Sequence, residues 1–194
     1  MEIPRPTTPR IAPLAEGAMS ADQQELMAAT RQGTAGGAVN LFATLARHPG
    51  LLRKWMPAAG KLLDGAKLPP RDRELLILRT GWRCGSAYEW GQHVVIGQAA
   101  GVSAADIEAV QAGPDAAGVD PGDAVLLRAV DELHDDACLS EATWAALRQR
   151  YDDRQLIEVP MLVGAYHQVS FLLNSLGVPL DDGISGFPEA GPGE

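Results

Sequence analysis

Residues 68–93, LPPRDRELLILRTGWRCGSAYEWGQH from Leu68 to His93, carry the signals of two successive helices. Pro70 stands where a first helical turn tolerates a residue without an amide donor. The run Leu75-Leu76-Ile77-Leu78 is apolar on every side of a helix, which predicts a central helix at 70–83 buried on most faces. A second helix is expected at 86–100. On it Glu89 and His93 are one turn apart and share a face, with Ser86 one turn earlier.

Outward from this pair, helix-start signals recur. Ser20 with Gln23, Ser103 with Asp106 and Asp152 with Gln155 each place a capping side chain three residues before a reciprocal partner. Helices are expected near 21–32, 37–47, 50–63, 103–111, 121–136, 140–150 and 153–174. Leu126, Leu127, Val130 and Leu133 recur at helical spacing. Pro160 should kink the last long helix or mark its true start. Strand-like alternation bounded by hairpin turns is absent, and no period repeats. The fold class is therefore all-α, a helical bundle. Its domain organisation reads as a proline-rich extended arm at 1–19, one helical domain at 20–179 and an irregular, glycine- and proline-rich tail at 180–194.

The chain has 194 residues and a formal charge of -9, enough length for one substantial core and a field that repels phosphate backbones and anionic membranes. Nucleic acid and membrane are excluded as expected partners; a small-molecule substrate is not. No basic start leads into an apolar leader, and no apolar run is expected to approach the roughly 20 residues that span a bilayer. Cys84 and Cys138 stand in no CxxC or metal-ligand spacing, which fits a reducing compartment, so the expected location is the cytoplasm.

Glu89 beside His93 is a plausible proton shuttle, because a neighbouring carboxylate orients an imidazole that titrates near neutral pH. Glu74, next to an apolar run, is costly to bury unless paired, which makes it a candidate third member. A structural reading stands beside this one. Ser86 and Glu89 also fit a capping box, and a carboxylate at a helix N-terminus loses affinity for protons, which suits Glu89 to orienter or base rather than acid. Arg71, Arg73, Arg79 and Arg83 crowd the same region, either neutralising carboxylates, binding a substrate carboxylate or lining a solvated face. His48, His134 and His167 are isolated in sequence, and no second histidine joins His93 at ligand spacing, so no metal is expected.

The run Arg71-Asp72-Arg73-Glu74-Leu75, followed by Tyr88-Glu89-Trp90, His93, Ala99 and Gly101-Val102-Ser103, resembles the carboxymuconolactone decarboxylase family over roughly residues 40–175. The resemblance implies an all-helical bundle of the alkyl hydroperoxidase D-like type, assembled as a dimer, trimer or hexamer, with its site on the helices at 70–83 and 86–100. In the alkyl hydroperoxidase D branch a glutamate precedes a CxxC pair and a histidine follows; that motif falls on Glu74, Ser86, Glu89 and His93. Both cysteine positions are substituted, and a dithiol peroxide cycle needs a low-pKa thiolate and a resolving thiol. The decarboxylase branch resembles the chain better at Glu89 and His93. It implies cofactor-independent decarboxylation, isomerisation or a lyase step on a small organic acid or lactone. His93 would transfer the proton, Glu89 would orient it or act as base, Glu74 would be the buried second carboxylate, and Tyr88 would donate to a developing oxyanion. Ser86, Trp90 and Arg83 would contact substrate. Two other readings are a peroxidase working through Cys84 and an external thiol, and a non-catalytic helical oligomer that binds a ligand.

Overall fold

Short polar side chains start the helices where the sequence points to them. In this computed structural model, which describes residues 3–33 and 39–188 and only the backbone of 31–33, Ser103 and Asp152 each form a reciprocal capping box. Ser20 and Gln23 exchange the same two bonds, at 2.8 and 3.3 Å. Among the described residues there are nine α-helices, one short 3-10 turn and no strand. They are α1 (Ala21–Gly33), α2 (Val39–Leu45), α3 (Pro49–Leu63), α4 (Pro70–Arg83), α5 (Ala87–Ala99), α6 (Ala104–Ala112), α7 (Pro121–Asp135), α8 (Glu141–Leu147) and α9 (Asp153–Leu176). The first two residues of the helix expected at 37–47 lie outside the described residues. Pro160 lies inside α9 and does not start it, because the Asp152 cap fixes the beginning seven residues earlier.

Helix α4 is the axis of the bundle, packed against α5, α6, α7 and α9. Leu75, Leu76, Ile77 and Leu78 are at most 1% exposed, and each such burial contributes roughly 1.5–3 kcal/mol. Its arginines tie it to neighbouring helices. Arg71 donates both terminal nitrogens to Asp123 at 2.8 and 2.7 Å, and Arg79 forks onto Asp131 at 2.8 Å through Nε and Nη2.

Both ends of the chain lie along the bundle. The Arg10 amide donates to the Leu176 carbonyl at 2.8 Å, and the Arg5 guanidinium reaches the Cys84 carbonyl at 2.9 Å. In the C-terminal segment, buried Asp181 accepts from Tyr88 Oη at 2.5 Å, Gln92 Nε2 at 2.7 Å and the Asn40 amide at 2.9 Å. Gly91 makes this closure possible. A Cβ there would lie 2.2 Å from the Ser185 carbonyl oxygen, a backbone atom with little room to retreat. Gly91→Ala is expected to lift the segment from α5 and cost about 1–3 kcal/mol. Limited proteolysis checks this: cleavage after residue 178 should accelerate in the variant, and an unchanged cutting pattern counts against the seating of the tail.

One expectation is corrected by α9. Among the described residues it is the one helix long and apolar enough to cross a membrane by length and composition, with mean hydropathy 1.4 over its window and 39% of that window buried. Glu158, His167 and Gln168 interrupt the run, yet the apolar residues around them keep the average at 1.4. In the bundle α9 packs on α3, α4 and α7.

Candidate active site

The contact of α4 with α5 brings together the three residues that the spacing singles out. Glu74 is fully buried, and its Oε2 lies 2.7 Å from His93 Nδ1. Its other oxygen accepts from Arg73 Nε at 3.0 Å, with Nη2 at 2.9 Å. On the far side of the imidazole, His93 Nε2 lies 3.5 Å from Glu89 Oε2. The ring edge of Tyr166, from α9, packs against His93 with centroids 4.9 Å apart and planes at 87°. An imidazole is thus held between two buried carboxylates.

Their protonation states differ for physical reasons. Burial pushes the Glu74 carboxyl up, but the charge and hydrogen bond of His93, joined by Arg73, outweigh it and hold Glu74 below the usual carboxylate range. Burial pulls His93 down, yet Glu74 and then Glu89 hold it above its ordinary value. Glu89 has less compensation. Burial lifts it to about 7, opposed by His93 and reinforced by Glu74. The resting site is a carboxylate–imidazolium pair backed by a second acid poised near neutrality.

This reverses the expectation for Glu89. The helix-terminal field that should lower its proton affinity is outweighed by loss of water. The capping-box alternative fails too. Ser86 does precede α5, but its hydroxyl makes no cap bond and is buried without a hydrogen-bond partner, while its amide donates to the Gly81 carbonyl at 2.9 Å. Glu89 faces His93 instead.

A cavity of about 140 Å³ opens beside this group. Tyr88, Glu89, Gln92, His93 and Tyr166 form its polar side, with Thr30 and Asp64 also on the wall; Phe42, Trp55, Leu62, Leu63, Ile96 and Val169 make most of the remainder apolar. Glu74 stands behind His93 and off the wall. No lysine or arginine lines it among the described residues. All four arginines of α4 are engaged with protein carboxylates: Arg71 and Arg79 as above, Arg73 with Glu74, and Arg83 with Asp135 at 2.6 Å.

The remaining candidates take other places. Arg83 faces Asp135 and Asp131, Trp90 packs tilted against Trp82 and Phe187 at 5.1 and 5.7 Å, and Ser86 lies off the cavity wall, so none of the three lines it. Tyr88 does line the cavity, but its hydroxyl proton goes to Asp181 and its oxygen accepts from the Leu41 amide at 3.2 Å. It positions the C-terminal segment rather than an oxyanion. Sequence reasoning missed Tyr166, which reads as one more apolar position of α9, and the wall supplied by α2 and α3. Cys84 is buried away from the cavity, and burial pushes its thiol up to about 11.

A carboxylate–imidazole–carboxylate group is thus buried between α4 and α5 of a helical bundle whose fold is of the alkyl hydroperoxidase D-like type. The model of the carboxymuconolactone decarboxylase family matches residues 49–132, which include Glu74, Glu89 and His93. The fold is similar to the alkylhydroperoxidase AhpD core of an uncharacterized peroxidase-related protein from Ralstonia eutropha JMP134, with TM-score 0.74, 18% identity, and coverage of 89% of this chain and 93% of that one. It is also similar to the apo debrominase Bmp8, with TM-score 0.68, 13% identity, and coverage of 89% and 92%. A variant of that debrominase in complex with 2,3,4-tribromopyrrole matches with TM-score 0.67, 14% identity, and coverage of 91% and 94%. Among curated proteins none matches the sequence. Residues 49–132 thus carry the carboxymuconolactone decarboxylase family match, within a fold of the alkyl hydroperoxidase D-like type.

Proposed function

We propose that this chain is a cofactor-independent enzyme that moves a proton on a small, neutral, largely apolar carbonyl compound of the lactone or unsaturated ketone class. The observation that carries this reading is Glu89, a cavity-lining acid lifted to about 7 beside an imidazolium. At neutral pH such a group is present in both forms, as a general acid/base requires. The Glu89 carboxylate removes a proton from the carbon next to the carbonyl. The His93 Nε2–H donates to the carbonyl oxygen as it gains charge, and Glu74 holds the imidazolium in place. The neutral acid then returns the proton to a second carbon of the enolate, completing an isomerisation.

Charge narrows the substrate class. A carboxylate in the cavity would meet Glu89 and Asp64 and no arginine or lysine among the described residues, so a lactone or ketone suits it better than an organic acid anion. The Cys84 peroxidase reading is weaker, because a thiol buried off the cavity with its pKa near 11 supplies almost no thiolate. Simple model compounds suffice for the test. Protein in deuterated buffer, given a panel of small neutral lactones and enones, should exchange the α-proton of at least one, followed by NMR, and Glu89→Gln should abolish the exchange. Exchange in no member of the panel, or exchange surviving in that variant, overturns the reading.

We also propose that the chain works in the cytoplasm as a homo-oligomer. Ile157, Met161 and Phe171 are exposed along α9, and covering such a stripe with a second copy removes apolar area from water. Met161→Glu is expected to lower the mass measured by light scattering, and an unchanged mass removes α9 from the interface.

A further inference from the structure

We propose that Cys84, His134 and His167 form a second site, which binds a divalent metal ion of the zinc class. The three come from different helices: Cys84 caps the end of α4, His134 lies in the last turn of α7, and His167 lies midway along α9. Their ligand atoms lie within 4.8 Å of one another. None lines the cavity at Glu89, so the site is separate from the one assigned to proton transfer.

The surroundings are those of a ligand set rather than of a chance cluster. His167 Nδ1 lies 2.8 Å from the Val163 carbonyl, which fixes its proton there and leaves the Nε2 lone pair directed inward. That Nε2 lies 2.9 Å from His134 Nδ1. In a tetrahedral site with metal–nitrogen bonds of about 2.0–2.1 Å and metal–sulfur bonds of about 2.3 Å, ligand atoms stand roughly 3.3–3.6 Å apart, so small rotations bring this set into place. On binding, His134 carries its proton on Nε2 and Cys84 releases one to solvent, leaving two neutral imidazoles and one thiolate. The Cys84 backbone is already held, its carbonyl accepting from Arg5 and from Asn174 Nδ2, each at 2.9 Å. Ser170, one turn after His167, is fully buried, and its hydroxyl has no hydrogen-bond partner.

A sulfur and two imidazoles suit zinc, or cobalt as its spectroscopic substitute, better than magnesium or calcium. Three protein ligands leave one tetrahedral position for water or a small molecule. Full-length protein stripped with a chelator should bind one zinc per chain by calorimetry. It should also bind cobalt with visible tetrahedral bands and a thiolate-to-cobalt charge-transfer band in the near ultraviolet. Cys84→Ser should remove the charge-transfer band, and His167→Gln should weaken zinc binding by roughly a hundredfold or more. Should either variant fail to fold by circular dichroism, His134→Gln, at a half-buried position, is measured instead with the same expected loss. Absence of stoichiometric zinc binding, cobalt bound without the sulfur band, or affinity unchanged in the folded variants overturns the site. Proton exchange at Glu89 is not involved in any of these readings.

Discussion

Replacing Glu89 with glutamine should lower turnover by about 10²–10⁴-fold, the usual contribution of a positioned acid/base, and should stabilise the protein at pH 8. The second half follows from the sign of the shift. Glu89 is lifted from 4.5 to about 7. Below the unfolded value it is neutral in both states, so folding carries no charging cost. Between 4.5 and about 7 the unfolded chain releases the proton and the folded chain keeps it, so stability falls as pH rises. Above the folded value the full cost applies, on the order of 3 kcal/mol. Glutamine does not ionise, and its amide oxygen can still face the His93 Nε2–H. Thermal melts should therefore show the variant above the wild type at pH 8 and level with it at pH 4. A variant less stable than wild type at pH 8 would mean that Glu89 is a charged structural residue, and wild-type turnover in it would remove Glu89 from the chemistry.

The second large effect is expected at Glu74. Glu74→Gln leaves the buried imidazolium of His93 without its partner at 2.7 Å and strips Arg73 of its carboxylate. Removing one member of such a buried pair costs about 3–5 kcal/mol. The loss should depend on pH. Glu74 is held below its ordinary value, so its contribution is present above 4.5 and fades as pH falls through the lowered value. His93 is held above 6.5, so its contribution is complete below that value and fades as pH rises through the raised one. The gap between wild type and variant in denaturant unfolding should be widest between about pH 4.5 and 6.5 and should narrow in stronger acid. A gap that stays constant down to pH 2 would show that Glu74 contributes packing and not charge. Because Glu74 acts through His93, the imidazole of the variant should also titrate at lower pH by NMR.

Much of the site was legible because helical spacing is a local property. The positions of Glu89 and His93 one turn apart follow from the chain alone, and so does the burial of Glu74 beside Leu75–Leu78. Their roles do not. The same Ser86–Glu89 spacing serves a capping box on a solvated helix and an acid facing an imidazole on a buried one, and the difference is the water that the other helices exclude. Tyr88 shows the same limit, since its hydroxyl is committed to Asp181, far along the chain. Arg83 reads as a substrate contact by proximity in sequence, but the partner that engages it is Asp135 on α7.

The sequence by itself determined the helices, their caps and the face on which an acid and an imidazole adjoin, because these depend on hydrogen bonds and side-chain spacing within a few residues. The tertiary structure alone decided which acid titrates near neutrality, which arginines are already engaged, and that Cys84, His134 and His167 meet at all. Those outcomes depend on desolvation and on contacts between helices far apart in the chain, and no local pattern of residues encodes either.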